Sequence, residues 1–411
     1  MITTLERRIP GFNRQVTLFM LYSAIYQMGM FGITDAVLNF YFVSLGYETN
    51  TIGFLQAVPR IGGLITGVPL ALLADRIGVR RITIWSMIGA GLTYFTLFAF
   101  PSLEMLATSR FLHGVFYGAA YVVATPLMMM LVERRHQTHL FAYYNLITMG
   151  ATAVRSFVGG QLPTWIVGAA QNGAGAQSPF AYGMALVIAG ILVFISIPPL
   201  LRLAELRPAE ARPTGTTRAP IPWLKLTRLS LPFLSFGFTG GLTFPFYNLF
   251  FRQTFDISDQ LVGTILSLGW FGMALITLAN PWLDRRWGRV HALGMTMTIG
   301  ALAFAALSLA PGLAFSVVAF VIAISVRNTM TPLFQPLMME NIPPWLHNSA
   351  SSVGFILWSL GWFVASSVSG HWQSQYGYGF IMQVVAVGVF LTGVCIVLIF
   401  RRRTAPVLTS Q

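Results

Sequence analysis

Apolar stretches long enough to cross a bilayer as helices recur about twelve times along these 411 residues. That repetition constrains the fold more than any other feature of the chain. A crossing takes about 20 residues at 1.5 Å rise per residue. The stretches cover 17–44, 50–75, 81–100, 102–132, 138–167, 179–201, 227–251, 258–282, 290–310, 312–339, 348–371 and 377–400. They are too long and too rich in glycine for barrel strands, whose signal is alternation over about 10 residues. Backbone in lipid must satisfy its own hydrogen bonds, so each stretch reads as a helix. Charged residues make up only 9% of the chain, against roughly a quarter in soluble domains. With 55% apolar residues and a mean hydropathy of +0.69, a water-soluble enzyme, a coiled coil and a disordered chain are all excluded. The sole cysteine, Cys395, lies in an apolar run, which excludes a disulfide scaffold. The expected fold class is an all-α integral membrane protein of twelve transmembrane helices.

The net charge of +13 does not mark a nucleic-acid partner, because no basic stripe interleaves with aromatics on a polar surface. The arginines instead cluster between apolar stretches, at Arg76, Arg80 and Arg81, at Arg134 and Arg135, at Arg285, Arg286 and Arg289, and at Arg401 to Arg403. With the N-terminus inside, only Arg252 falls on the outer side, which is a positive-inside pattern. Both termini are then expected in the cytoplasm, and the first stretch is too long for a cleavable signal. The expected location is the inner (plasma) membrane. Residues 202–226 are Pro-rich and charged without apolar periodicity, so they read as a cytoplasmic linker. They divide a first six-helix bundle, 1–201, from a second, 227–411. The halves match at an offset of 210 residues: Gly78 with Gly288, Pro126 with Pro336, Gly160 with Gly370 and Gly53 with Gly263. Several matches at one offset point to duplication, and parallel repeats of this kind are a transporter architecture with its site between the halves.

Three local motifs narrow this further. After the second stretch comes Ala71-Leu-Leu-Ala-Asp75-Arg76-Ile-Gly78-Val-Arg80-Arg81; the fourth contains Arg110-Phe-Leu-His113-Gly114; the fifth contains Arg155-Ser156-Phe-Val-Gly159-Gly160. Together with the helix count, the chain resembles the major facilitator superfamily over nearly its whole length. The first motif is similar to that family's loop Gly-x-Leu-Ala-Asp-Arg-x-Gly-Arg-Arg, with Ala71 and Val79 departing from it. The second is similar to Arg-x-x-Gln-Gly, with His113 in place of Gln. The third has Arg155-Ser156 where the family's drug/proton antiporters have Gly-Pro. The resemblance implies two six-helix bundles (a 6+6 pseudo-repeat) and a cavity lined by spans 1, 4, 7 and 10. It also implies a gating loop of Asp75, Arg76, Gly78, Arg80 and Arg81; the competing reading of those arginines is that they only anchor topology.

An ionisable residue at mid-bilayer costs about 2.5–3.5 kcal/mol on insertion scales, so each one is a functional candidate. There are five: Asp35, Arg60, Arg110, Arg155 and Arg327. The first four share a layer about 12–18 Å below the outer surface at 1.5 Å per residue. Asp35 and Arg60, on consecutive antiparallel spans, are the expected pair. Burial and arginine act on an acid in opposite senses, so protonating Asp35 would release a guanidinium to grip an anionic substrate bidentately. This makes Asp35, Arg110 and His113 candidates for proton coupling. It makes Arg60, Arg155, Arg327, Asn328 and Gln335 candidates for substrate binding, with Thr331 between the last two on a four-residue stripe. The aromatic candidates are Tyr26, Tyr117, Tyr247 and Trp358. For each polar residue the alternative is an ion pair or hydrogen bond that fixes packing; for the aromatics it is core or interfacial belt. Glycines four apart at Gly63/Gly67, Gly114/Gly118 and Gly237/Gly241 suit close helix approach.

The sequence has no Walker loop and no Gly-x-Ser-x-Gly motif, and His136 and His139 are too few for a metal site. Neither an enzyme nor a cofactor is therefore expected. The expected function is secondary active transport of a small organic, anionic solute by alternating access, coupled to protons or Na⁺, by a monomer in the bilayer. Two alternatives stay open: a proton-driven multidrug efflux pump, and a transport-inactive receptor or assembly factor.

Overall fold

A computed structural model describes residues 13–131, 137–170, 175–204, 221–343 and 346–400. Among the described residues there is no strand. The first span is α1 (Arg14–Gln27), a π-helical turn (Met28–Gly32) and α2 (Ile33–Ser44). It continues with α3 (Thr49–Ile77), α4 (Val79–Ala99), α5 (Leu103–Met130), α6 (Gln137–Ala170), α7 (Pro179–Ile195) and the short α8 (Ile197–Leu201). The second half opens with α9 (Trp223–Thr243), a 3₁₀ turn (Phe244–Phe246) and α10 (Tyr247–Phe255). It ends with α11 (Asp259–Leu309), α12 (Leu313–Arg327), α13 (Met330–Glu340) and α14 (His347–Phe400).

Seven helical stretches among the described residues combine the length and apolarity needed to cross a membrane. Two of them, α11 and α14, are each a pair of spans joined across a kink, at Gly288 (φ 71°, ψ 155°) and Gly377 (φ 76°, ψ 171°). The three remaining long helices, α3, α5 and α6, have 29, 28 and 34 residues and carry Arg60, Arg110 and Arg155 along their length. Every one of the twelve expected spans therefore has a helical counterpart.

Local chemistry explains several ends. Asn13 caps α1 by accepting from Val16 N at 2.9 Å, and Ser178 caps α7 from just before Pro179. Gly78 (φ 99°, ψ 138°) turns the chain between α3 and α4. Its repeat partner Gly288 adopts the same glycine-only backbone region, so one pair matched at the 210-residue offset also matches in conformation.

The chain packs as two units, Met1–Arg218 with Pro245–Trp270, and Ala219–Phe244 with Phe271–Gln411. The segment 245–270 therefore packs with the first unit although it follows the linker. In that unit α3 and α5 cross backbone to backbone: a Cβ at Gly114 would meet Pro59 O at 1.8 Å, and one at Gly62 would meet Phe111 O at 2.4 Å. Gly160 of α6 crosses Gly263 of α11, where a Cβ at Gly160 would meet Gly263 Cα at 2.8 Å. In the second unit Gly237 and Gly241 of α9 lie against the α14 carbonyls of Trp358 and Trp362, and Ser366 donates to Gly241 O at 3.1 Å. Small residues let helices approach where lipid gives no hydrophobic drive to association. Large apolar side chains, among them Trp85, Leu224, Leu302 and Leu398, are exposed on the outer faces, as lipid contact requires.

Candidate functional site

Asp35 is the exposed residue in an otherwise buried run from Ile33 to Phe42. Among the described residues no hydrogen bond or ion pair reaches its carboxylate. The expected ion pair between Asp35 and Arg60 is therefore not formed. The guanidiniums that bear on it are those of Arg155, Arg110 and Arg60, on α6, α5 and α3. A π turn (Met28–Gly32) lies just before Asp35, and its extra residue shifts the register of the faces that follow.

Arg155 is fully buried. Its side chain lies in the groove left by Gly32, where a Cβ would stand 2.1 Å from Arg155 Cγ, and its Nη2 donates to Thr152 Oγ1. The π turn is held in place by Tyr94, whose hydroxyl reaches Gly29 O and Met30 O at 3.4 and 3.3 Å and shares a hydrogen bond with Thr34 Oγ1 at 3.0 Å.

Arg110 is anchored at two of its nitrogens. Pro59 has no N–H to give to the carbonyl four residues earlier, so Leu55 O is left over in α3, and Arg110 Nε donates to it at 3.1 Å. Arg110 Nη2 donates to Gln56 Oε1 at 3.0 Å. Among the described residues Nη1 has no partner. His113, one turn on, is buried, with Nδ1 3.0 Å from Thr93 Oγ1 and its ring edge-on to Tyr94 at 5.2 Å. Arg60 and Tyr117 are half-buried. Tyr26 is buried and stacked on Tyr22 with centroids 5.7 Å apart, and Tyr247 is buried on α10.

In the second unit Arg327 is buried and turned into its own bundle. It donates to Phe236 O and to Thr239 Oγ1 (3.3 Å), and its guanidinium stands 4.0 Å from the Phe236 ring centre. The expected stripe divides at this point: α12 ends at Arg327, Asn328 is the half-buried cap, and Thr331 and Gln335 are exposed on α13. Trp358 is half-buried against Trp362, 5.3 Å away. In the loop motif, Arg80 donates to Leu203 O and, at 3.4 Å, to Leu201 O, where carbonyls at a helix end attract cations. Arg81 is exposed, and the side chains of Asp75 and Arg76 lie outside the described residues.

Sequence reasoning missed three groups. The first is a line of amides, Gln56, Asn39 and Asn248, linking Arg110 to the segment 245–270. Uncharged side chains carry no strong insertion penalty and so drew no notice. The second is a cluster at the end of the first unit. Arg252 Nε lies 3.4 Å from Asp259 Oδ1, Tyr182 donates to Asp259 Oδ2, and Arg252 stands over the Phe40 ring at 4.5 Å. The third is on the second unit, where Arg289 donates to Asp284 at 3.0 Å and to Glu340. Partial burial opposes the Arg289 charge, but these two hydrogen-bonded carboxylates outweigh it and hold the guanidinium above its ordinary pKa.

The helices and their crossings at glycine describe a polytopic helical bundle, and comparison with known proteins gives its class. The sequence profile described as Major Facilitator Superfamily matches residues 19–366, and a second match covers 233–410. Among solved structures, the nucleoside transporter NupG superposes with a TM-score of 0.74 at 16% identity, covering 95% of this chain and all of that one. A bacterial homologue of the human lysosomal transporter Spinster gives 0.74 at 14%, covering 94% and 96%. An auto-inhibited POT family peptide transporter gives 0.75 at 12%, covering 97% and 99%. At these identities the likeness is one of fold. The niacin transporter NiaP of Acinetobacter baylyi is 32% identical over 117 residues, which is 28% of this chain and 26% of that protein. The match thus spans about a quarter of that relative's length. The chain belongs to the major facilitator superfamily, the class of multi-pass membrane transporters of small molecules.

Proposed function

We infer that this transporter moves a small organic anion by alternating access and couples the movement to protons. The observation that carries the reading is Asp35, exposed within the span and subject to the guanidiniums of Arg155, Arg110 and Arg60. An acid in that position is reachable by a proton, and neutralising it leaves a net positive site. Arg110, with Nε and Nη2 occupied and Nη1 spare, is the contact for a carboxylate. The partial similarity to a niacin transporter supports an anionic substrate, since niacin carries a carboxylate. The positive-inside pattern supports cytoplasmic termini in a plasma membrane, and the linker at 202–226 marks the seam between the duplicated halves.

The test uses purified protein in liposomes with nicotinate as the probe anion. Asp35→Asn removes the titrating group at constant size. It is expected to abolish uptake driven by a pH gradient while retaining nicotinate exchange within about threefold, since exchange needs no net proton movement. Unchanged gradient-driven uptake in this variant would take Asp35 out of the mechanism. Uptake that follows a Na⁺ gradient instead would replace the proton with that ion.

A further inference from the structure

The amides next to Arg110 form a line with a single direction. Arginine only donates. Its Nη2 therefore makes Gln56 Oε1 an acceptor at 3.0 Å, which leaves Gln56 Nε2 to donate to Asn39 Oδ1 at 2.7 Å. Asn39 Nδ2 then donates to Asn248 Oδ1 at 2.9 Å and to Pro245 O. Asn248 Nδ2 ends the line on the carbonyls of Asp35 and Ala36, at 3.0 and 3.2 Å. The line starts at a pure donor and finishes on pure acceptors, so no amide along it has freedom to flip. Asn39 and Asn248 are 1% and 2% exposed, so water does not replace a lost partner. Both of the asparagine's bonds to 245–248 hold that segment against the backbone of α2, beside the acid of the candidate site.

We propose that Gln56, Asn39 and Asn248 are positioning residues that tie the occupancy of Arg110 to the seating of the segment 245–270 on α2. A carboxylate gripped by both Nη1 and Nη2 takes the Nη2 bond from Gln56, which removes the donor that sets the direction of the whole line and loosens the segment. By reciprocity, unseating the segment frees Arg110 for the anion. The inference rests on the reading of Arg110 as the anion contact, and its test also runs without any ligand.

The reporter is Val262→Cys in a Cys395→Ser background. Val262 is fully buried on α11, next to the Gly263–Gly160 crossing, so its labelling by a maleimide reads how often 245–270 comes away. Asn39→Asp keeps its size and still accepts from Gln56 but has nothing to donate to Asn248. It is expected to speed labelling about tenfold, the effect of losing one or two buried hydrogen bonds. Arg110→Met is expected to do the same. In the double variant labelling should be no faster than in the faster single, because both break one line. Rates that multiply to within about twofold, or singles that differ from the parent by less than twofold, overturn the proposal. If Asn39→Asp does not yield monodisperse protein, Asn248→Ala takes its place in the cycle. Nicotinate should speed labelling of the parent reporter but not of Asn39→Asp. A non-additive cycle in which nicotinate has no effect keeps the line of amides and overturns the anion reading instead.

Discussion

Gly114→Ala tests whether the α3–α5 crossing is the rigid base of the candidate site. The added Cβ would stand 1.8 Å from Pro59 O, 2.5 Å from Pro59 C and 2.6 Å from Pro59 Cα. All three are fixed by the ring-locked backbone of α3, so no side chain is available to swing aside. Restoring van der Waals separation requires the helices to part by about 1.5 Å. Overpacking of this kind costs about 1–3 kcal/mol. The same displacement stretches the bond from Arg110 Nε to Leu55 O, 3.1 Å in the native crossing and one turn away. A hydrogen bond to a charged group is worth about 1.5–3 kcal/mol, so part of that is lost as well. Gly62→Ala meets Phe111 O at 2.4 Å and should cost less, while Gly63→Ala, whose nearest atom is Gly114 O at 3.2 Å, should fall within about 0.5 kcal/mol of the parent because the gain in helix propensity offsets a slight crowding. Reversible unfolding in mixed detergent micelles gives the three values. A Gly114→Ala variant as stable as the parent, or a Gly63→Ala variant damaged more than it, would refute the argument that backbone contact sets this crossing.

Two further substitutions follow from the geometry. Asp259→Asn removes the charge that Arg252 faces at 3.4 Å and that accepts from Tyr182. Since Arg252 is partly exposed and keeps its stacking over Phe40, the loss should be about 1–3 kcal/mol, below that of a wholly buried pair, and thermal unfolding of the purified protein reads it. Gly288→Ala places a side chain at φ 71° with nothing within 4 Å, so the cost is backbone strain alone, about 1–3 kcal/mol. The control is Gly312→Ala, which is equally uncrowded at an extended φ of 174° and should leave the unfolding midpoint in place.

The extent to which the sequence could be read depended on the energetic penalty each residue carried. Long apolar stretches and Gly78 with Gly288 are each penalised if misplaced, and the helices and turns follow them closely. The in-span charges were conspicuous for the same reason, and four of the five belong to one unit around Asp35. Direction was harder. Depth along a helix does not give its rotation, and the π turn at 28–32 leaves no periodicity signal in a run of Met, Gly and Phe, so the packing of Arg155 against Gly32 could not be read in advance. Arg327 looked equally available on charge alone. Its Nη2 donates within its own bundle to Phe236 and Thr239, a contact between helices that lie about 90 residues apart in the chain. Asn39, Gln56 and Asn248 became meaningful only once folding had put them in line.

Three charges of that layer, Arg155, Asp35 and Arg110, are held in different ways. Arg155 is fully buried against Gly32 and donates to Thr152, so packing fixes its position. Asp35 is exposed and takes no hydrogen bond from the described residues. Arg110 stands between these cases, held by Leu55 and Gln56 yet with one nitrogen to spare. Two backbone features set these differences: a glycine at position 32 leaves the groove that Arg155 fills, and a proline at 59 leaves the carbonyl on which Arg110 is aimed.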